Sequence, residues 1–261
     1  MRSSRGGSFD SQNTGTPSAV CLQQPLTTCL VTFVRKSCFN MNAIAPIAAI
    51  DLASLLCSRL CHDMLSPVGA LSNGLELLAE EKDPEMRQRC FELLEQSARA
   101  SADKLKFFRL AFGAAGGFGE MVPVAEPRAL ITALLGDSGR TQLNWLVSGD
   151  TLPKPAVKTL LNLALIGIEA LVRGGTLEVG AELRTDAGGT ASEIVIRAAG
   201  PRIAFDPAIG QALDGSLPPA DLSSRTAAAA MVHQLAAGLG GGVQFALSDD
   251  ALVMGAVLPV V

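Results

Sequence analysis

The sequence predicts an α+β protein in which a helical hairpin, dimerising into a four-helix bundle, precedes a sandwich of helices on a mixed sheet. Three observations predict it. Residues 51–112 place apolar side chains at helical spacing on either side of one capped turn. Beyond Gly119 the texture changes to short apolar strands alternating with helices. The apolar stripe of the hairpin is also too long for two helices to cover alone, so a second copy is expected to complete the bundle.

Residues 1–48 are rich in Ser, Gly, Thr and Asn without a sustained period, as a disordered N-terminal extension is. Met41 marks a second possible start, and a targeting role for the Arg and Ser content is the competing reading.

From Asp51 to about Glu80, at about 100° per residue, Leu60, Met64, Val68, Leu71, Leu75 and Leu78 gather on one side. His62 lies opposite them, with Ser58, Arg59, Ser66, Gly69, Asn73 and Glu76, and is expected to face solvent in mid-helix. Leu55, Leu65 and Leu77 flank this face. Pro67 lies inside the helix, where it removes a hydrogen bond at a cost of about 3 kcal/mol and frees a carbonyl near the histidine. Asp83 then suits a helix cap, Pro84 the first helical position and Glu85 the positive end of the dipole. A second helix running to about Phe112 completes a hairpin domain at 49–118. It turns Met86, Cys90, Leu93, Leu94, Ser97, Ser101, Leu105, Phe108 and Phe112 towards a core.

The second domain, 119–261, opens with a strand at 121–126 and a helix at 127–135. Strand 141–147, helix 155–172 and strands 176–186 and 192–200 follow. A Pro-rich loop, a helix at 223–239 and strands 241–248 and 251–259 complete it.

Composition excludes several classes. An apolar content of 48% in 261 residues supports packed cores. A net charge of -4 argues against a surface built for phosphate backbones or anionic lipid, so neither nucleic acid nor membrane is expected as a partner. No apolar run approaches the roughly 20 residues of a membrane span, and a soluble, cytoplasmic protein is expected. All six cysteines fall within the first 90 residues of the chain. Cys57 and Cys61 beside His62 raise the question of a metal site, but no second ligand pair follows at zinc spacing. Reduced thiols, partly buried and without metal, are the simpler expectation.

The segment "HDMLSP", His62 to Pro67, resembles the H-box of sensor histidine kinases. Its setting strengthens the likeness, since an outward-facing histidine on the first helix of a dimerising hairpin, followed by an α+β domain, matches that superfamily's dimerisation and ATP-binding architecture. The nucleotide boxes depart from the pattern. Asn162 stands where the superfamily has its first asparagine, but Ile166 occupies the place of the second, which binds magnesium. Ala198 replaces the acid of the Asp-x-Gly-x-Gly box, and Arg202 replaces its second glycine. The wording of residues 56–78 is close to the ChpT-type histidine phosphotransferases, a family with a degenerate ATPase-like domain.

That resemblance implies a phosphorelay intermediate, with His62 as the phosphoacceptor and Asp63 orienting the imidazole or accepting its proton. Arg59, Leu65, Ser66, Gly69 and Asn73 would form the partner-binding surface. The implied partners are a second copy of the chain, the receiver domain of a hybrid histidine kinase, and response regulators. It implies no nucleotide and no cofactor of its own, with Mg2+ supplied by the partner receiver domain. Two other readings stay open: an active sensor kinase that labels itself from ATP, and a non-catalytic dimeric adaptor. His233, with no acid motif beside it, is expected to be structural.

Overall fold

The computed structural model describes residues 47–113, 119–136, 139–186 and 189–260. The expected N-terminal extension therefore lies outside the described residues except for Ile47 and Ala48, as do Cys21, Cys29 and Cys38.

Helix α1, Ala49–Glu80, and helix α2, Pro84–Ala111, form the hairpin. The turn is built as its residue types dictate. Asp83 accepts a hydrogen bond from the Met86 amide, Pro84 follows as the first helical residue, and Arg87 closes the joint by donating to the carbonyls of Leu78 and Glu81. The last turns of α2 are enclosed on several sides, with Phe107, Phe108, Leu110 and Ala111 all buried. One helical stripe cannot account for this; α2 ends inside the second domain, against helices introduced below.

That domain contains a five-stranded sheet in the order β2-β4-β5-β7-β6, and a two-stranded ribbon, β1-β3. In chain order the elements are β1 (Met121–Pro123), α3 (Ala125–Leu135), β2 (Thr141–Val147), β3 (Thr151–Pro153), α4 (Lys154–Ala170), β4 (Gly175–Asp186) and β5 (Gly189–Ala199). Then come α5 (Pro207–Asp214), a short 3-10 turn (Pro219–Asp221), α6 (Ala227–Gly238), β6 (Gly242–Leu247) and β7 (Ala251–Pro259). β2 runs parallel to β4, and the other pairings in the sheet are antiparallel, so the sheet is mixed as expected. Alternation sends Leu177 and Val179, Ile194 and Ile196, and Leu252 and Met254 to one face. There they meet α4, whose Leu160, Leu161 and Leu163 are fully buried.

Two elements depart from the sequence reading. The stretch expected as a Pro-rich loop contains α5, with Asp206 capping its start, Pro207 leading it, and Gly215 ending it at φ 78°. The first strand stops at Pro123 because the chain turns into α3 two residues later, and it pairs with β3, which was not expected.

The hairpin and the sandwich meet along α1 and α6, α2 and α4, and α2 and α3. Gln234 of α6 donates to the Ile47 carbonyl just before α1 (3.1 Å). Asn162 of α4 is fully buried and donates its amide to the Ala111 carbonyl at the end of α2 (3.2 Å) and to the Lys158 carbonyl (2.8 Å).

Candidate phosphotransfer site

His62 sits at mid-length on α1 with its side chain 80% exposed. Its Nδ1 lies 3.0 Å from Asp63 Oδ1. The carboxyl of Asp63 is shaped by opposing effects. Burial pushes its pKa up, but hydrogen bonds from Arg59 and His62 and the charges of Arg59 and Lys104 together hold it below the ordinary value. It is thus ionised at neutral pH and can only accept, so the contact requires the proton on Nδ1. In the neutral ring this puts the lone pair on Nε2, on a side chain that is largely exposed. An exposed imidazole in this tautomer is a nucleophile ready for in-line attack.

The backbone under Asp63 is equally specific. Pro67 has no amide hydrogen, so the Asp63 carbonyl, four residues earlier, loses its helical donor. Lys104 of α2 takes that place, its Nζ lying 3.0 Å from the Asp63 oxygen.

Arg59 departs from expectation. It was read as facing a partner, yet it is only 7% exposed. Its Nε donates to Asp63 Oδ2 (2.8 Å) and its Nη2 pairs with Glu169 near the end of α4. The helical wheel placed it on the His62 face, but the second domain reaches that part of the face through Glu169, and Leu52, two turns earlier on α1, is buried as well. Glu169 carries no motif; an acid in the last turn, directly after the apolar run Leu163 to Ile168, was the available signal in the sequence.

The remaining predicted site residues stay near the histidine and in reach of solvent. Leu65 is 71% exposed, Ser66 and Asn73 are exposed, and Gly69 is half-buried. A Cβ added at Gly69 would meet nothing within 4 Å, so no packing within this chain requires glycine there. Cys57 and Cys61 are exposed free thiols, not partly buried ones, and Cys90 is buried. Among the described residues no three His, Cys, Asp or Glu side chains gather as a metal site, and no helix is long and apolar enough to cross a membrane.

Two of the positions that depart from the nucleotide-binding pattern are packed in the interior. Ile166 and Ala198 are buried, and Asn162 is committed to backbone carbonyls. Arg202 is exposed on the loop after β5. His233 is structural in its contacts, with Nδ1 3.1 Å from the Leu213 carbonyl and its ring against Gly215.

Residues 124–251 match the model of the histidine phosphotransferase C-terminal domain. Protein phosphotransferase ChpT of Brucella abortus (strain 2308) is 37% identical over 178 residues, which span 68% of this chain and 81% of the relative. A solved bacterial phosphotransferase aligns at 31% identity with a TM-score of 0.70, covering 82% of this chain and all of the other. Hairpin, exposed histidine and sandwich together thus define a histidine phosphotransferase of two-component signalling. Within that class, the chain belongs to the ChpT-type phosphotransferase family.

Proposed function

We propose that this protein relays a phosphoryl group from the receiver domain of a hybrid histidine kinase to response regulators, through a phosphohistidine at His62. The observation that carries this reading is the pairing of the exposed His62, through Nδ1, with the ionised Asp63, which in the neutral ring places the lone pair on Nε2. In the uptake step the Nε2 lone pair attacks the phosphorus of the receiver's aspartyl phosphate. An N–P bond forms, the acyl O–P bond breaks, and its electron pair leaves with the receiver's carboxylate. Nδ1 keeps its proton, and Asp63 balances the positive charge that develops on the ring. Delivery runs the same exchange in reverse onto the aspartate of a response regulator. Magnesium held by the receiver offsets charge on the phosphoryl oxygens, so this chain has only to present the imidazole and dock its partner.

Leu65, Ser66, Gly69 and Asn73 form the docking surface around the histidine in this reading. The buried Ile166 and Ala198 and the committed amide of Asn162 favour a protein charged by other proteins over one charged by ATP. The working unit is a homodimer. Val68 and Leu75, seven residues apart on α1, are 49% and 58% exposed in the single chain, and Phe91 and Leu105 on α2 are similarly bare. This spacing suits the seam of a four-helix bundle.

The test is transfer. Mixed with a phosphorylated receiver domain, the protein is expected to take up label on His62 and to pass it to a second receiver. Labelling of a His62→Ala protein would overturn the assignment. Self-labelling of the wild type from ATP would establish a kinase in its place.

A further inference from the structure

Arg59 lies between two carboxylates that belong to different domains. On α1 its Nε donates to Asp63 Oδ2 at 2.8 Å, while Nη2 pairs with Glu169 of α4. Asp63 in turn uses its other oxygen, Oδ1, for the His62 imidazole at 3.0 Å. A line of alternating charge therefore runs from the sandwich, through a buried guanidinium, to the exposed ring: Glu169, Arg59, Asp63, His62.

The division of contacts matters more than their number. Guanidinium and carboxylate prefer a two-pronged pairing that occupies both oxygens. Here Glu169 holds the Nη2 end of Arg59, so the guanidinium meets Asp63 through Nε alone and leaves Oδ1 for the imidazole. With Glu169 neutralised, the guanidinium is free to turn both prongs onto Asp63 and displace the ring from Oδ1. Helix stability does not call for Glu169 either, because an acid in the last turn opposes the helix dipole and no basic residue shares that turn.

We propose that Glu169 is a positioning residue for His62, acting through Arg59 and Asp63, and that the second domain thereby holds the phosphoacceptor in its reactive tautomer. This rests on the relay reading only for the consequence in transfer rate; the tautomer can be observed without it.

The experiment compares the full-length wild type with Glu169→Gln, using nitrogen-15 NMR of histidine-labelled protein. Only two histidines need be assigned, His62 and His233. The wild-type His62 ring is expected to carry its proton on Nδ1, and Glu169→Gln to raise the Nε2-protonated population several-fold. Single-turnover uptake from a phosphorylated receiver is expected to slow about tenfold at saturating receiver, with the half-saturating concentration unchanged. Arg59→Lys keeps the charge but cannot span both carboxylates. It therefore has no second prong to take Oδ1 and is expected to leave the proton on Nδ1. Glu169→Ala frees Nη2 as Glu169→Gln does, so it is expected to show the tautomer shift and serves as the test should Glu169→Gln not fold. A folded Glu169→Gln protein with wild-type tautomer and uptake within twofold of wild type overturns the proposal and leaves the relay standing. A tautomer shift in a protein that no receiver can label supports the positioning role and overturns the relay.

Discussion

Lys104 donates from Nζ to the backbone carbonyl of Asp63 at 3.0 Å, occupying the acceptor that Pro67 leaves without its helical partner. A break in the α1 ladder is thereby repaired from α2, directly beneath the residue that contacts His62.

Pro67 and Lys104 should therefore be coupled. Lys104→Met is expected to destabilise the wild type by about 1–2 kcal/mol, because a partly buried carbonyl loses its donor. In a Pro67→Ala background, where residue 67 supplies an amide, the same change is expected to cost close to nothing. Urea unfolding of the four proteins measures this as a double-mutant cycle; equal losses in both backgrounds would show that the lysine acts elsewhere.

Asp63 gives a pH signature with a defined sign. Its folded pKa lies below the ordinary carboxylate value of about 3.9, so its pairings add stability above that pH, and this is lost as pH falls through the folded value. Asp63→Asn is expected to lower stability by about 1–2 kcal/mol at pH 7. The gap between wild type and variant should hold steady above about pH 5 and close below about pH 4. In the transfer assay the variant is expected to be about 10- to 100-fold slower, since the ring loses a fixed carboxylate against Nδ1.

Gly69 separates docking from folding. Nothing in this chain lies within 4 Å of the position a Cβ would take, so Gly69→Ala is expected to stabilise α1 by about 1 kcal/mol. Gly69→Leu should keep a wild-type melt yet slow uptake at low receiver concentration, because the added side chain stands where the partner loop would sit. An unchanged half-saturating concentration would remove Gly69 from the docking surface.

Val68→Glu combined with Leu75→Glu is expected to yield monomers in sedimentation velocity, because two charges per copy would face each other across the bundle seam. A variant that still sedimented as a dimer would place the interface elsewhere.

Asn162→Ala is expected to cost about 1–3 kcal/mol, read by thermal unfolding, since the Ala111 carbonyl loses its donor and a buried amide leaves a void.

Local chemistry made the hairpin legible. Asp83 and Pro84 announce the turn, His62 faces solvent on the helical wheel, and Pro67 frees a carbonyl beside it. Strands β2 and β7 were legible from residue alternation and run length. Helix α5 was hidden by the prolines and glycines around it, although Asp206, Pro207 and Gly215 are themselves start and stop signals. Arg59 could not be placed from its own helix. Its burial depends on a domain whose nearest contact, Glu169, is 110 residues away in sequence, and a helical wheel has no information about what another element covers. The same limit concealed Glu169 itself, whose significance is its partner.

The tie between Asn162 and the end of α2 also sets a direction for change. A descendant taking up nucleotide chemistry through this domain would have to break that tie and open the interior at Ile166. It would also have to place an acid at position 198, which is now sealed in apolar packing. Each such step loosens the protein before any ligand can offset the loss, so its cost in stability is felt at the first substitution.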